Sequence, residues 1–274
     1  MRLAPLEESL DAQRYGGKAA QLAVARAAGL PVPPGVALSV ELVAAIVAGA
    51  PAAIAELERT WPLLRPPLAV RSSAVAEDSE AASFAGQHLT CLNIGSVRAA
   101  VAAVEEIWRS AHSDAVLAYR GRLRLSGQPR MAVVLQELIE ADCAGVLFTR
   151  NPLDGADELV VEAAWGLGEA VVAGLVTPDR FRVARDGTVL ERVPGVKDLA
   201  VTLAPDGGIE EAAVSGDRVR ALCLDDGRLA ALARLAERCG RVFSGARDLE
   251  WALRGDALYL LQCRAVTRVA SLAT

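Results

Sequence analysis

The chain has 274 residues, of which 53% are apolar and 23% are charged, and its formal net charge is −5. This length allows one large domain or two lobes with their own cores, and the negative charge argues against general nucleic-acid binding. The apolar runs are too short to cross a bilayer, and the N-terminus lacks the apolar core of a signal peptide. The five cysteines are scattered, without metal-ligand spacing. We therefore expect a cytoplasmic protein with neither nucleic acid nor membrane as a partner.

The first predicted helix follows a short glycine turn. Residues 19–28 are rich in strong helix formers and end at Gly29. Gly16-Gly17-Lys18 leads into this helix, so backbone N–H groups and an ammonium group can meet an anion there. Only Lys18 and Lys197 are lysines among 29 basic residues. Each is therefore a candidate for a role that needs a compact ammonium group, with chance survival at an exposed site as the alternative.

A strand and a small acidic loop follow. Residues 68–73 are typical of a buried strand, and residues 89–94 of a returning strand. The segment 74–87 between them can close over a ligand, with Arg71 at its base facing phosphate, or it can be an ordinary connection. The same patterns predict a short strand near Val36 and helices near residues 40–49, 51–60, 96–109 and 113–123.

The middle of the chain is rich in predicted strands. Residues 131–138 and 144–149 are predicted to be adjacent central strands. In the first of them the polar pair Gln136-Glu137 either presents hydrogen-bonding edges to a base or marks where the strand reaches solvent. Further elements are a strand at 158–163, a tight turn at 165–169, a hairpin at 180–193, a looser stretch to about residue 215, and an amphipathic helix that carries Leu229, Leu232, Leu235 and Ala236 on one face.

The last two predicted strands form a hairpin. Residues 248–253 and 258–264 each alternate polar with apolar positions, the period of a strand that is buried on one face. Residues 254–257 supply the turn. We predict a three-residue loop at residues 255–257.

One wall of this hairpin is polar. In the predicted register, Glu250 lies opposite Gln262 and Asp248 lies opposite Arg264, whereas a slip of one residue would separate these groups onto two faces. Two carboxylates, an amide oxygen and a guanidinium group on one wall can hold Mg²⁺ and phosphate together. A solvated polar face with a salt bridge is the alternative.

Eight segments together resemble the N-terminal ATP-binding domain of the pyruvate phosphate dikinase and phosphoenolpyruvate synthase family, which includes rifampin phosphotransferase. Each segment alone is a weak signal, but they occur in the family's order and cover nearly the whole chain. They are Gly16-Gly-Lys18, Val70-Arg-Ser-Ser-Ala74, Ala76-Glu-Asp78, Ser83-Phe-Ala-Gly-Gln87, Phe148-Thr-Arg-Asn-Pro152, Gly166-Leu-Gly-Glu-Ala170 with Val176-Thr-Pro178, Asp248-Leu-Glu-Trp251 and Leu260-Leu-Gln-Cys-Arg264.

The resemblance implies roles for residues in the first half of the chain. Lys18 and Arg71 would bind the triphosphate of ATP. Gly86 and Thr90 would line the closing loop, and Gln136 would lie near the adenine.

In the second half, the resemblance implies that Glu250 and Gln262 hold Mg²⁺ and that Arg264 contacts the phosphates. Lys18, Arg71 and Arg264 would be the catalytic residues. The implied fold is α+β and of the ATP-grasp type, with an N-terminal lobe at 1–138, a C-terminal lobe at 139–274 and the nucleotide in the cleft between them.

The sequence departs from the family pattern in a few places. Ala265 stands where proline is usual, and Arg150-Asn151 precede a proline where many relatives have an acidic residue. Relatives continue into a domain with a phosphorylated histidine, whereas this sequence ends after the ATP module. Neither His88 nor His112 lies in the carrier motif: His88 is expected to be a loop contact, and His112 to be structural or solvated.

Three functions are therefore weighed. The first is an ATP-dependent phosphotransferase component that moves the β-phosphoryl group of ATP to a histidine on a separate carrier protein or domain, with a small molecule as final acceptor. The second is an ATP-grasp ligase that forms an acyl phosphate and ADP. The third is a non-catalytic nucleotide-binding module. The nucleotide product separates the first two.

Overall fold

The computed structural model describes residues 2–75, 89–122 and 127–266. The chain forms two compact units. Unit 1 consists of residues 1–27, 34–138 and 205–208, and unit 2 consists of residues 28–33, 139–204 and 209–274. The main division falls between residues 138 and 139, while the short segment 28–33 belongs to unit 2 and the segment 205–208 to unit 1.

The described residues of unit 1 form one antiparallel sheet and five α-helices. The strands are β1 (Leu3–Pro5), β2 (Gly35–Leu38), β3 (Leu68–Ala74), β4 (Thr90–Ile94) and β5 (Met131–Glu137). The helices are α1 (Ala12–Ala27), α2 (Val40–Val47), α3 (Pro51–Thr60), α4 (Val97–Ala111) and α5 (Asp114–Arg122). The strand order is β1-β2-β5-β3-β4.

The two faces of this sheet differ in character. Side chains alternate between the faces of a strand, so Leu68 and Val70 of β3 share a face with Leu135, which pairs with Val70. These residues belong to a buried core that also contains residues of α2, α3 and α4. The intervening positions of β3, including Arg71 and Ser73, therefore lie on the opposite face.

Unit 2 contains a six-stranded antiparallel sheet and a separate two-stranded one. The strands are β6 (Cys143–Phe148), β7 (Leu159–Trp165), β8 (Asp179–Val183), β9 (Val189–Val193), β10 (Leu199–Leu203), β11 (Ile209–Ala213), β12 (Arg247–Arg254) and β13 (Ala257–Ala265). The larger sheet has the order β13-β12-β6-β7-β8-β9, and β10 pairs with β11. The helices are α6 (Glu169–Val172) and α7 (Asp226–Val242).

One face of the six-stranded sheet is an apolar core. A single row of cross-strand partners, Cys263, Leu249, Leu147, Val161 and Phe181, runs across five strands. Every member of the row is buried. Helix α7 contacts β13, and its predicted apolar stripe is buried as expected. The next row of partners therefore points to the opposite face of the sheet.

The structure corrects two local predictions and confirms the α+β class. The strands at 131–138 and 144–149 are not adjacent, because β5 lies between β2 and β3 in unit 1 whereas β6 lies between β12 and β7 in unit 2. Both are short apolar runs, and periodicity does not say which sheet such a run joins. The stretch expected to be loose up to residue 215 contains the β10–β11 hairpin.

No single helix in the described ranges combines the length and the apolar composition that crossing a bilayer requires. The pair Val40–Val47 and Pro51–Leu63, bent by 117°, meets that test only when it is taken together. Five of its apolar residues lie in the core of unit 1: Leu42, Val43, Ile46, Ala53 and Leu57.

Candidate functional site

Arg71, Thr90 and Gln136 share one face of the unit 1 sheet. Arg71 pairs with Thr90 on β4, and Ala69, two residues before Arg71, pairs with Gln136 on β5. The Arg71 Nη1 atom donates to the Gln136 Oε1 atom at 3.4 Å. Arg71 is 7% exposed and Gln136 is 2% exposed. Three of the predicted site residues are therefore neighbours on the face of the sheet that does not belong to the apolar core.

The glycine turn before the predicted helix is hydrogen-bonded to β3. Helix α1 begins earlier than expected, at Ala12, and is interrupted at Gly16, whose φ is 79° and ψ is 167°. The Ser73 hydroxyl donates to the Tyr15 carbonyl oxygen at 2.8 Å and accepts from the Ala19 N–H at 3.1 Å. One serine thus satisfies backbone groups on both sides of the interruption.

Lys18 is a buried cation beside the same strand. Its Nζ atom donates to the Ser72 carbonyl oxygen at 3.0 Å, and the residue is 6% exposed. Because Ser72 directly follows Arg71, two cations of unit 1 lie along the same stretch of β3. A buried ammonium group is unfavourable unless polar groups surround it, and a bound anion would add to those groups. Sequence reasoning identified both cations but missed Ser72 and Ser73, the residues that position α1.

Gly86, His88 and residues 76–87 of the predicted closing loop fall outside the part of the chain that the structure describes. The other histidine, His112, caps the end of α4. Its Nδ1 atom lies 2.8 Å from the Trp108 carbonyl oxygen, and its ring stacks on Trp108 at 3.8 Å between centroids. These contacts match the structural role expected for His112.

In unit 2, the predicted register of the final hairpin is observed. Glu250 pairs with Gln262, and Asp248 pairs with Arg264. The turn itself is shorter than predicted, because Arg254 pairs with Ala257 and leaves only two residues between them.

A β-bulge compensates for the shorter turn. The register shifts between Glu250 and Trp251, which pairs with Leu260, so Leu261 is the extra residue on β13. The bulge places Leu260 in the core at 0% exposure and leaves Gln262 opposite Glu250. The polar wall therefore depends on an irregularity that the alternation pattern did not indicate.

Asp248 and Arg264 form an ion pair on this wall. The Arg264 Nε and Nη2 atoms lie 2.8 and 2.6 Å from the Asp248 Oδ2 atom. The Asp248 side chain is 7% exposed and that of Arg264 is 56% exposed. Burial raises the pKa of the Asp248 carboxyl, and the negative charge of Glu250 acts in the same direction, while Arg264 opposes both. The salt bridge that a solvated polar face would contain is thus present, between Asp248 and Arg264.

The second oxygen of Asp248 is buried without a partner. Within the described residues, the Asp248 Oδ1 atom accepts no hydrogen bond. Buried carboxylate oxygens usually have donors or metal ions beside them. Carboxylate and amide oxygens such as those of Asp248, Glu250 and Gln262 are ligands that suit Mg²⁺. Within the described residues, no group of three or more His, Cys, Asp or Glu side chains could hold a metal ion by itself.

Lys197 is explained by packing in unit 2. Its ammonium group forms an ion pair with Asp179, and both side chains are 0% exposed. The Asp179 carboxylate also accepts from the backbone N–H groups of Gly195 and Cys223, each at 2.8 Å. The scarcity of lysine pointed to Lys197 as a position that needs an ammonium group. The structure shows that this group forms a buried ion pair with Asp179.

The loop after β6 departs from the family pattern and is held by a second buried carboxylate. The Arg182 Nε and Nη2 atoms donate to the two carboxylate oxygens of Glu158 at 2.8 and 2.9 Å. The Asn151 side chain donates to Glu158 at 2.7 Å. These contacts lower the pKa of Glu158, with the Arg182 hydrogen bonds as the largest cause. The asparagine that replaces an acidic residue in this loop is therefore a hydrogen-bond partner of Glu158.

Comparisons with known proteins agree with the resemblance. The family model described as "Pyruvate phosphate dikinase, AMP/ATP-binding domain" matches residues 38–273. The chain is 38% identical over 204 residues to the uncharacterized phosphotransferase YvkC of Bacillus subtilis, which covers 74% of this chain and 24% of that protein. It is 39% identical over 202 residues to a probable phosphoenolpyruvate synthase of Methanothermobacter thermautotrophicus, with coverages of 73% and 29%.

A third relative is the rifampicin phosphotransferase of Bacillus subtilis, which is 35% identical over 201 residues, with coverages of 73% and 23%. The chain therefore spans about a quarter of the length of these relatives. The family model, in contrast, matches most of the chain. This chain belongs to the family of the pyruvate phosphate dikinase AMP/ATP-binding domain, and its fold is α+β, as the resemblance implies.

Proposed function

We propose that the chain is the ATP-binding component of a dikinase-type phosphotransferase. In this reaction the β-phosphoryl group of ATP passes to a histidine on a separate carrier protein or domain, water takes the γ-phosphoryl group, and AMP and phosphate are released. The observation that carries the proposal is the pair of buried cations Lys18 and Arg71 beside Gln136 in unit 1. These are the residues to which the resemblance assigns the triphosphate and the adenine.

The protein's contribution to such a transfer is positioning and charge neutralisation. Phosphoryl transfer builds negative charge on equatorial oxygens, so fixed cations and metal ions supply most of the catalysis. Lys18 and Arg71 would bind the triphosphate, and Arg264 would contact the phosphates from its place on β13. The Ser72 and Ser73 contacts hold α1 and β3 together, so Lys18 is positioned before the nucleotide arrives.

Mg²⁺ is part of the proposal. Glu250 and Gln262 would hold it, because they are direct cross-strand partners with oxygen donors on one face. A bound Mg²⁺ would neutralise charge on the phosphate oxygens. Mg²⁺ in such sites is usually held by one or two carboxylates together with substrate phosphates, so the small number of protein ligands fits the metal.

The acceptor histidine is proposed to lie on a partner. His112 is stacked on Trp108 and directs its Nδ1 atom to a backbone carbonyl oxygen. These contacts fix the ring at the end of α4, where His112 is the C-cap residue. A small molecule would be the final acceptor of the phosphoryl group, and we place the reaction in the cytoplasm.

The decisive experiment follows the label of β-labelled ATP. The chain is incubated with Mg²⁺ and candidate carrier proteins, and both the nucleotide product and the labelled residue are identified. AMP, phosphate and label on a carrier histidine are expected. ADP as the product would support the acyl-phosphate ligase instead, and nucleotide binding without any turnover would support the non-catalytic module.

A matched pair of variants tests the metal-binding wall in the same assay. Glu250→Ala is expected to abolish Mg²⁺-dependent turnover while leaving the fold intact. Glu210→Ala, an exposed position on β11, is expected to leave turnover unchanged. Normal turnover in the Glu250 variant would refute the metal assignment.

A further inference from the structure

A row of polar side chains continues from Glu250 across the unit 2 sheet. Glu250 pairs with Gln262 on one side and with Val146 on the other. Val146 pairs with Glu162 on β7, and Glu162 pairs with Arg180 on β8. Direct cross-strand partners share a face, so all five side chains lie on the same face. The neighbouring row, which points the other way, is the apolar core row that contains Leu249.

The side chains of this row are less exposed than ordinary surface residues. All five members are half-buried, and they include two carboxylates with only Val146 between them. Adjacent strands lie about 4.8 Å apart, which places the Cα atoms of Glu162 and Glu250 about 10 Å apart. Two glutamate side chains that lean over Val146 can therefore reach the same space between them.

The Glu162 side chain forms no hydrogen bond or ion pair with any other described residue, although Arg180 is its direct cross-strand partner. By contrast, the nearby Glu158 is fully engaged by Arg182 and Asn151. A half-buried carboxylate without such contacts is unusual next to a second one, because like charges repel. A cation on this face would remove that repulsion.

A separate observation indicates a ligand at the same place. The buried Asp248 Oδ1 atom has no partner among the described residues, and Asp248 lies two positions before Glu250, on the same face of β12. The unpartnered Oδ1 atom of Asp248 therefore lies along β12 from Glu250, and the Glu162 carboxylate lies across the sheet from it.

We propose that Glu162 supplies a second carboxylate to the divalent cation that Glu250 and Gln262 hold. This role rests on the proposed function and extends it to a strand that the sequence motifs do not include. Mg²⁺ accepts one or two carboxylates in an octahedral shell that substrate phosphates and water complete. Glu162 would thus fix the cation from the β7 side while Gln262 fixes it from the β13 side.

The test measures cation binding rather than turnover. Mn²⁺ replaces Mg²⁺, and its binding to the full chain is followed by electron paramagnetic resonance with a non-hydrolysable ATP analogue present. Glu162→Gln is expected to weaken Mn²⁺ binding at least about tenfold, since even residues that only support a metal ligand contribute that much. Glu191→Gln is the matched control, because Glu191 lies opposite Arg182 on β9 and is exposed.

The outcomes separate this inference from the proposed function. If the wild-type chain binds no Mn²⁺ with the analogue, the proposed function itself fails. If Glu250→Gln weakens binding while Glu162→Gln behaves like Glu191→Gln, the proposed function stands and the role of Glu162 is overturned. Should Glu162→Gln fail to fold, Glu162→Ala is measured instead: weaker binding at an unchanged melting temperature supports the role, and unchanged binding refutes it.

Discussion

The carbonyl oxygen of Ser73 lies 2.1 Å from the point where a Cβ atom would stand on Gly16. Gly16 also has a φ of 79° and a ψ of 167°, a combination that is essentially restricted to glycine. Two independent constraints thus require glycine at the corner where α1 meets β3. This corner also positions Lys18, so the requirement concerns the proposed phosphate site as well as the fold.

We expect Gly16→Ala to destabilise the protein more than Gly49→Ala. Gly49 has a φ of 70° but no atom within 4 Å of a built Cβ, so its substitution costs about 1–2 kcal/mol from the backbone conformation alone. Gly16→Ala adds a clash with the backbone of β3. Urea denaturation of both variants measures the difference, and equal losses of stability would contradict the close approach.

Lys18→Ala is expected to weaken binding of an ATP analogue by about ten- to a hundredfold, because a hydrogen bond to a charged group contributes about 1.5–3 kcal/mol. Isothermal titration calorimetry measures the affinity. Arg26→Ala is the control on the same helix, since Arg26 forms an ion pair with Glu7 near the surface. Unchanged affinity in Lys18→Ala would show that this end of α1 does not contact the phosphates.

Lys197→Met should be strongly destabilising. The substitution leaves Asp179 as an unpaired buried carboxylate, and breaking a buried pair in this way costs about 3–5 kcal/mol. Arg241→Ala removes an exposed ion pair with Glu237 and should cost less than about 1 kcal/mol. The free energies of unfolding of the two variants test this contrast. Similar values would mean that the Lys197–Asp179 pair is dispensable for stability.

Glu158 should make the stability of the protein depend on acid pH. Arg182 and Asn151 hold the pKa of folded Glu158 below its ordinary value of 4.5. The resulting stabilisation is fully present above pH 4.5 and is lost as the pH falls through the lower pKa of the folded state. Glu158→Gln should therefore be less stable than the wild type at pH 7, with a difference that shrinks below about pH 4.5. A difference that is constant with pH would show that the Arg182 contact does not act through charge.

Much of the fold could be predicted from local sequence patterns. The pairing of strands that are distant in the sequence could not. The alternation in the last hairpin predicted the Glu250–Gln262 pair, and the helix predicted near residues 96–109 is α4, capped by Ser96. Alternation gives the face of a side chain but not its neighbouring strand. For that reason β5 and β6 were expected to be adjacent.

The candidate site shows the same limit. Lys18 and Arg71 were found because their residue types suit phosphate, and the family motifs supported them. Ser73 was missed as a positioning residue because its role depends on a contact with a helix 54 residues away in the chain. Glu162 was missed because it becomes significant only through two successive strand pairings, from β12 to β6 and from β6 to β7. No local signal indicates either relationship.

The bulge at Leu261 divides the final hairpin into two parts that can change independently. Beyond it, the tip around Gly255 and Asp256 is exposed and carries none of the proposed ligands. Insertions or fused tags at this tip should therefore be tolerated without moving Gln262. For protein engineers, the tip is a permissive attachment point on a hairpin whose other end carries the proposed ligands.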